Sequence, residues 1–477
     1  MKSVVFLLFL LGITLLSAGQ LTFPWALESQ NQGTSFTDMV VDAKGNCLIT
    51  GLFTRELSFG DKTIFTDEDN IICDNENVTI TTNTDQAMFI AKFSSAGECI
   101  WLNKVEVKDM EWFDPLIEVD ASGDVYMACS FLGAIACGET VLMATDTQGY
   151  DGTDIFIGKL IGNGKWLWAK RFGDHHRDII EEFQVDTDDN IYLLRDYWLT
   201  DELTEYLPVV EKISAKGDVL WSNEPIQAAP QSIGSTMFFV LSNEAEPILI
   251  LPFFYDIKVG TKQYQSGNTG KLVIVKYTAT GQINGSYVVE NDLRIDNHED
   301  SIDLYDHDVD DVAFDDSGNV YICGDRLIPE TDSRDSYRMF YFVKADVSGK
   351  ILWEKTFNTD ETQGADLSIN KICVDSKANI YLTGGFNKSA VFANIKLTSN
   401  SPLATAYIAN CDKNGIWQWS YSLPNQSKSE IAQMSIGKDN SVYVCGSYSQ
   451  QITLGDKIFT SNKRYNENRF IAKMIAK

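Results

Sequence analysis

Seven short stretches of the chain share a recurring turn, and four residues ahead of it stand Asp38, Leu116, Glu182, Phe238, Asp311, Lys371 and Gln433. Glu118 and Gln184 stand two residues ahead of the same turn. The columns one and three residues before the turn are mostly apolar: Val41, Val119, Val185, Leu241, Phe314, Val374 and Ile436 form the nearer one. On a strand with a period of two, the polar columns therefore face away from the packed side. If the seven copies surround an axis, Asp38, Glu182 and Asp311 meet at one level of it. Carboxylates crowded in this way either hold a proton, because like charges raise a pKa, or recruit a hard cation such as calcium. Lys371 offsets one of them. The candidate ligand-binding residues of such a channel are Asp38, Glu118, Glu182, Gln184, Asp311, Lys371 and Gln433.

A second candidate is the acidic run "ENDLRIDNHEDSIDLYDHDVDD", residues 290–311. Its possible ligands for calcium or zinc are His298, Asp303, Asp306, His307, Asp308 and Asp310. The segment "DHDVDD" opens like a calcium loop, but Asp311 stands where the turn glycine belongs and Ser317 where the bidentate acid belongs. It is not an EF-hand. The other two of the four histidines are His175 and His176. No serine or cysteine stands in a recognised nucleophile context, and none of the nine cysteines forms a C-x-x-C pair. No catalytic residue is assigned.

These residues need a scaffold that repeats. The turns read "DAKGN" at 42, "DASGD" at 120, "DTDDN" at 186, "SNEAE" at 242, "DDSGN" at 315, "DSKAN" at 375 and "GKDNS" at 437. Asp, Asn and Gly at such positions tolerate left-handed backbone and bond nearby amides, and the flanks alternate, so each copy is a hairpin. A third strand follows, as in "MFIAKFSSAG" and "IFIGKLIGNG". A fourth carries G-x-x-x-W, as from Gly97 to Trp101 and from Gly164 to Trp168. Phrases such as "LSFGDKTIFT" and "ITLGDKIFTS" add a folded-over ribbon between strands two and three.

Seven copies of four short strands predict an all-β, seven-bladed β-propeller of four-stranded antiparallel blades. The last copy stops after its third strand, and an orphan strand around Trp25 precedes the first. The N-terminal strand is therefore expected to complete the last blade. The expected organisation is a signal peptide at 1–19 and one propeller domain at 20–477. Its repeat units run at about 20–100, 101–167, 168–220, 221–286, 287–352, 353–418 and 419–477.

The combination of D-x-x-G-N-x-Y-x-x-G, an "F-G" phrase, F-x-x-K and G-x-x-x-W resembles the SBBP β-propeller repeat family over nearly all of the mature chain. That resemblance implies an exported or surface protein, mainly bacterial, with no common catalytic residue set. The G-K-x-x-W in "KADVSGKILW" is also similar to the tryptophan-docking motif of quinoprotein dehydrogenases. Those enzymes usually have eight blades and often a vicinal disulfide, whereas this chain has seven copies and no adjacent cysteines. Packing of Trp between blades is the simpler expectation.

The formal charge of −28 argues against nucleic acid and anionic membrane partners, which need clustered Lys and Arg. The start "MKSVVFLLFLLGITLLSAGQ" has a basic residue, a short apolar run and a small-residue triplet, so it reads as a signal peptide. No later apolar stretch is long enough to span a membrane. Secreted, periplasmic or cell-surface placement follows. Cys323 and Cys445, in "YICG" and "YVCG", are expected to be buried, reduced and unpaired. The functional expectation is an exported, non-enzymatic binding or scaffold propeller whose ligand is a protein or a glycan. The alternatives are a carbohydrate-active lyase or hydrolase using the central pocket, or a quinoprotein-like redox enzyme.

Overall fold

The computed structural model describes residues 21–476 except 30–32, 67–70, 74–77, 81–85, 110–113, 146–151, 175–176, 199–205, 229–231, 235, 243, 267–269, 290–308, 330–335, 358–366, 393–394, 400, 402, 426 and 462–466. The proposed signal segment lies outside that range. Among the described residues every regular element is a strand.

The recurring turn explains why strands form in pairs. Its fourth residue is left-handed in all seven copies, at Gly45, Gly123, Asp189, Ala245, Gly318, Ala378 and Asn440. In five copies its first residue is an Asp whose Oδ1 accepts the amides two and four residues on, as Asp42 does from Lys44 and Asn46 at 2.9 Å each. In the degenerate copy Ser242 Oγ takes over, accepting from Glu244 and Glu246.

Around these turns the chain lays down antiparallel strands in successive groups of four. Unit one comprises Ser35–Val41, Cys47–Thr54, Gln86–Phe93 and Cys99–Asp109; unit two Leu116–Val119, Val125–Cys137, Asp154–Leu160 and Trp166–Phe172. Unit three comprises Asp178–Val185, Ile191–Trp198, Tyr206–Ile213 and Val219–Asn223; unit four Phe238–Leu241, Pro247–Phe253, Lys271–Tyr277 and Ile283–Val288. Unit five comprises Asp311–Phe314, Val320–Pro329, Ser336–Ala345 and Ile351–Phe357; unit six Lys371–Val374, Ile380–Phe386, Thr405–Cys411 and Trp417–Ser422. Unit seven comprises Ser429–Ile436, Val442–Ser449 and Glu467–Ala476. Leu21–Ser29 lies antiparallel on the last of these, with Trp25 opposite Lys473. Units one and two are fused into one nine-stranded sheet, because Cys99–Asp109 also pairs with the far end of Val125–Cys137.

The apolar side chains sit between the sheets. One cluster joins Ile90 and Trp101 of unit one to Met127 and Phe156 of unit two. Another joins Ile155 of unit two to Phe183 and Leu193 of unit three. Others straddle units three and four, four and five, five and six, and six and seven. A further one joins Trp25, Tyr443 and Ile471 to Ile49 and Phe89 of unit one. The first strands follow the same order: each lies against that of the next unit, and that of unit seven lies against that of unit one.

The repeated motif positions serve this packing. Trp101 Nε1 donates to Gly162 O of the next unit at 3.1 Å; Trp25, Trp221 and Trp353 donate likewise to Ser95, Ala279 and Lys413. Gly97, Gly164 and Gly281, each on the turn of the following unit, lie under the rings of Trp25, Trp101 and Trp221, where a Cβ on Gly164 would come within 2.8 Å of Trp101. The F-x-x-K lysine reaches the turn aspartate: Lys92 lies 3.0 Å from Asp42, Lys159 3.0 Å from Asp120 and Lys344 3.3 Å from Asp315. Lys159, Lys212, Lys344 and Lys473 each lie over the ring of the repeat tyrosine. The ribbons appear at Glu56–Phe59 with Lys62–Phe65 and at Gln451–Leu454 with Lys457–Thr460. Unit six has one too, at Ser389–Phe392 with Ile395–Thr398, which lacks the Gly turn and is not legible from the sequence.

Cys323 and Cys445 are buried and free, and Cys323 Sγ donates to Asp311 O at 3.3 Å. Burial pushes both thiols well above their ordinary pKa.

Candidate functional site

The first strand of each unit carries the polar columns. In units one, three and seven a bulge just before the minus-four residue sets its direction, at Phe36/Asp38, Ile180/Glu182 and Ile431/Gln433. The alternation holds three residues before the turn, where Met39, Ile117, Phe183, Phe239, Ile372 and Met434 are buried and Val312 is half-buried, but the column from Val41 to Ile436 is half-buried, as are Asp38, Glu118, Glu182, Asp311, Lys371 and Gln433.

Four of the seven candidates act between strands. Asp38 Oδ2 accepts Ile117 N of the next unit at 2.8 Å, and its Oδ1 accepts Met39 N at 2.7 Å. Asp311 Oδ2 accepts Ile372 N at 2.9 Å. Gln184 Oε1 accepts Leu241 N at 2.7 Å, and Gln433 Nε2 donates to Thr37 O. Each satisfies a backbone group on the open edge of a neighbouring first strand, which would otherwise lack a partner.

Glu118 and Glu182 are different. Among the described residues each accepts only the amide of its own successor, from Val119 at 3.3 Å and Phe183 at 3.1 Å. Burial, then Asp38 and Glu182, push Glu118 up to about 8. Burial and Asp38 likewise push Glu182 up to about 8, against the pull of Lys371. Asp38 and Asp311 are also raised by burial, opposed by their amide bonds and Lys371. Lys371, 3.9 Å from Asp311, is raised by Asp311 first and then by Asp38 and Glu182. The sequence column is thus one electrostatic group. Near pH 7 Glu118 and Glu182 carry protons, while Asp38 and Asp311 are countered by Lys371. Such a surface offers hydroxyl donors and carbonyl acceptors rather than a dense negative charge.

Of the acidic-run candidates only Asp310 is described, its amide bonded to Cys323 O at 2.9 Å. His298, Asp303, Asp306, His307 and Asp308 lie outside the described residues, as do His175 and His176. No three His, Cys, Asp or Glu side chains among the described residues are arranged to hold a metal ion.

Sequence reasoning missed a second group, in unit three. Glu181, the bulge residue, is hydrogen-bonded to Asp196, and burial pushes Glu181 up to about 7. Asp196 is 5% exposed and its Oδ1 has no hydrogen-bond partner. Nearby, Arg195 bridges Asp178 and Glu211, the latter at 3.0 Å. The signal was available in "YLLRDYW", where Arg195-Asp196 interrupts an apolar strand.

No family model matches this chain, and none of the curated proteins matches it. Among solved structures, it is similar to a catalytically inactive virginiamycin B lyase from Staphylococcus aureus with quinupristin, at 11% identity and TM-score 0.41, covering 95% of this chain and 99% of that one. The β-propeller domain of the Trilobed protease from Pyrococcus furiosus matches at 8% identity and TM-score 0.42, over 91% and 99%. An ulvan lyase, a polysaccharide lyase bound to -[GlcA(1-4)Rha3S]-, matches at 8% and 0.44, over 91% and 96%. Likeness this distant does not bear on ligand or reaction.

Proposed function

We propose that the protein is an exported seven-bladed β-propeller of the SBBP type, closed by the Trp25 strand, that binds a neutral, hydroxyl-rich ligand of the glycan class without turning it over. The pairing of Leu21–Ser29 with Glu467–Ala476 supports the closure, and so does the apolar cluster shared by units seven and one. The repeat motif positions act in contacts within and between units. The observation that carries the binding reading is the pair Glu118 and Glu182. They are half-buried and held as protonated acids, and neither is spent on a neighbouring strand. Protonated carboxyls donate and accept at once, which suits sugar hydroxyls better than a cation.

A glycan-array screen at pH 6 with a turnover assay on every glycan bound tests this. Retention without product is expected. The Glu118→Ala/Glu182→Ala double variant should lose it. No retention, or equal retention by the double variant, overturns the reading. A carbohydrate-active lyase or hydrolase is the second reading, favoured by the hydrogen-bonded carboxyl pair Glu181–Asp196. Product formation that Asp196→Asn abolishes would select it.

A further inference from the structure

The polar columns of the first strands are levelled by the bonds they make. Asp38 Oδ2 reaches the amide of Ile117 at 2.8 Å, and Asp311 Oδ2 reaches that of Ile372 at 2.9 Å. A residue four before the turn therefore lies beside its counterpart in the next unit. Gln184 Oε1 reaches Leu241 N at 2.7 Å, which levels units three and four in the same way two residues before the turn. The first strand of unit four lies against those of units three and five. This register places Phe238 of unit four between Glu182 of unit three and Asp311 of unit five. Glu182 and Asp311 are near enough for their charges to act on each other. Two residues on from Phe238 stands Val240, and its counterpart in unit five is Ala313.

Phe238 is the one aromatic side chain in either column. Its successor Phe239 is buried on the opposite side of the strand. Phe238 itself is half-buried against the apolar cluster between units four and five, and among the described residues no other ring meets it. Core phenylalanines of this chain behave differently: Phe36, Phe53 and Phe59 all lie against Phe89. Asp38, Gln184, Asp311 and Gln433 tie neighbouring first strands together, whereas Phe238 and Val240 have no polar group with which to do so. At this joint the column presents an aromatic ring beside a carboxyl group in place of an inter-unit bond.

An aromatic face carries negative charge density and attracts C–H bonds polarised by neighbouring oxygen. A pyranose whose hydroxyls are all equatorial offers such a surface: its C–H bonds project axially from the ring, and its hydroxyls point outward along the edge. Ligand sites commonly pair an apolar wall with a few placed polar groups that fix orientation. Here Phe238, Val240 and Ala313 supply the wall and Glu182 the polar group. We propose that Phe238 is the platform on which a β-glucopyranose ring lies, with a hydroxyl of its edge on Glu182. This rests on the glycan reading above and narrows it: the site selects a flat C–H face and not hydroxyls alone.

Saturation-transfer NMR titration of the full chain at pH 6 tests this, with methyl β-D-glucopyranoside as the probe. D-glucitol is the comparison, since it carries hydroxyls on a similar carbon chain but has no ring face. The glucoside should bind about tenfold more tightly than glucitol, with saturation strongest at its axial ring protons. Phe238→Leu keeps apolar bulk without the aromatic face. It should weaken glucoside binding about tenfold while the thermal midpoint stays unchanged. Phe238→Trp, which restores a face, should bind as the parent does. Equal binding of glucitol overturns the platform, and so does glucoside binding that Glu118→Ala/Glu182→Ala abolishes but Phe238→Leu leaves intact; both leave the glycan reading standing. Retention of other glycans without the glucoside has the same meaning. A parent protein that retains no glycan at all overturns that reading, and the platform with it.

Discussion

Asp38 and Glu118 stand close together and share an environment, yet their carboxylates do different work. Asp38 holds the amide of Ile117 across the gap between units. Asp38→Ala should therefore destabilise the protein by about 1–3 kcal/mol, the range for a lost bond to a charged group that leaves a donor unpaired. Asp38→Asn keeps an acceptor and should cost less. Glu118→Gln should leave stability at neutral pH almost unchanged, because the acid it replaces is already neutral there. Urea unfolding at pH 7 separates the three. The same logic fixes a pH dependence for ligand binding. With Glu118 and Glu182 raised to about 8, retention of a bound glycan should be full at pH 6 and fall as pH passes through 8. Glu118→Gln/Glu182→Gln should bind at pH 6 and keep binding at pH 9. A wild-type profile that is flat across that range would remove the protonated-acid account.

At the scale of the element, the strands of Trp25, Trp101, Trp221 and Trp353 are fixed by the turn of the following unit. Gly164 and Gly123 both adopt positive φ, so an alanine strains the backbone at either. Their surroundings differ. A Cβ on Gly164 meets Trp101 at 2.8 Å, whereas on Gly123 the nearest atom is 3.9 Å away. Gly164→Ala should thus cost about 1–3 kcal/mol more than Gly123→Ala, measured by chemical denaturation of both variants. The Gly-x-x-x-Trp spacing was readable, as were the hairpins and the ribbons at 56–65 and 451–460, because turn chemistry and period-two alternation are local; that Gly164 packs on Trp101 of the preceding unit rather than on Trp168 was not. The inter-unit bonds of Asp38, Gln184, Asp311 and Gln433 were not. The sequence column showed which way they face, but it carried nothing about the open edge of the next strand. The ribbon of unit six escaped because Ala393-Asn394 replaces the glycine turn. The Glu181–Asp196 pair escaped because it depends on a bulge, which shifts one residue out of the period that the reading relied on.

At the scale of the whole molecule two opposed sets of acids decide the response to pH. Asp42, Asp120 and Asp315 are pushed up by burial, but bonds to their turns and lysines outweigh it and leave them lowered. Their stabilisation is present above the ordinary Asp value and is lost as pH falls through their folded values. Glu118, Glu182 and Asp178 are raised, so their folded-state cost is absent in acid, sets in above the ordinary carboxylate value and is complete once pH has risen through about 6 to 8. The thermal midpoint should therefore peak on the mildly acidic side of neutrality, and calorimetry from pH 3 to 9 would reveal a maximum above pH 7 if this balance is wrong.

The proposed closure makes the last prediction the most demanding. In an open array of repeats, removing a terminal strand costs only its contacts with the nearest neighbour. In a ring the same strand joins the last unit to the first. Trp25 is 4% exposed, packs edge-on against Tyr443 and bonds Ser95 of unit one at 3.0 Å, so it belongs to both. Removing residues 21–29 would bare the edge of Glu467–Ala476 and open the apolar cluster between units seven and one. Trp25→Ala alone should cost about 3–5 kcal/mol, as expected for an aromatic removed from a packed core. The deletion should lower the midpoint in a single transition. Amide protection should fall even in unit four, at Leu249 and Val273, far along the chain from the cut. A deletion variant that keeps the parental midpoint, or loses protection only in units seven and one, would mean that the units form an open row in which Trp25 is an ordinary end.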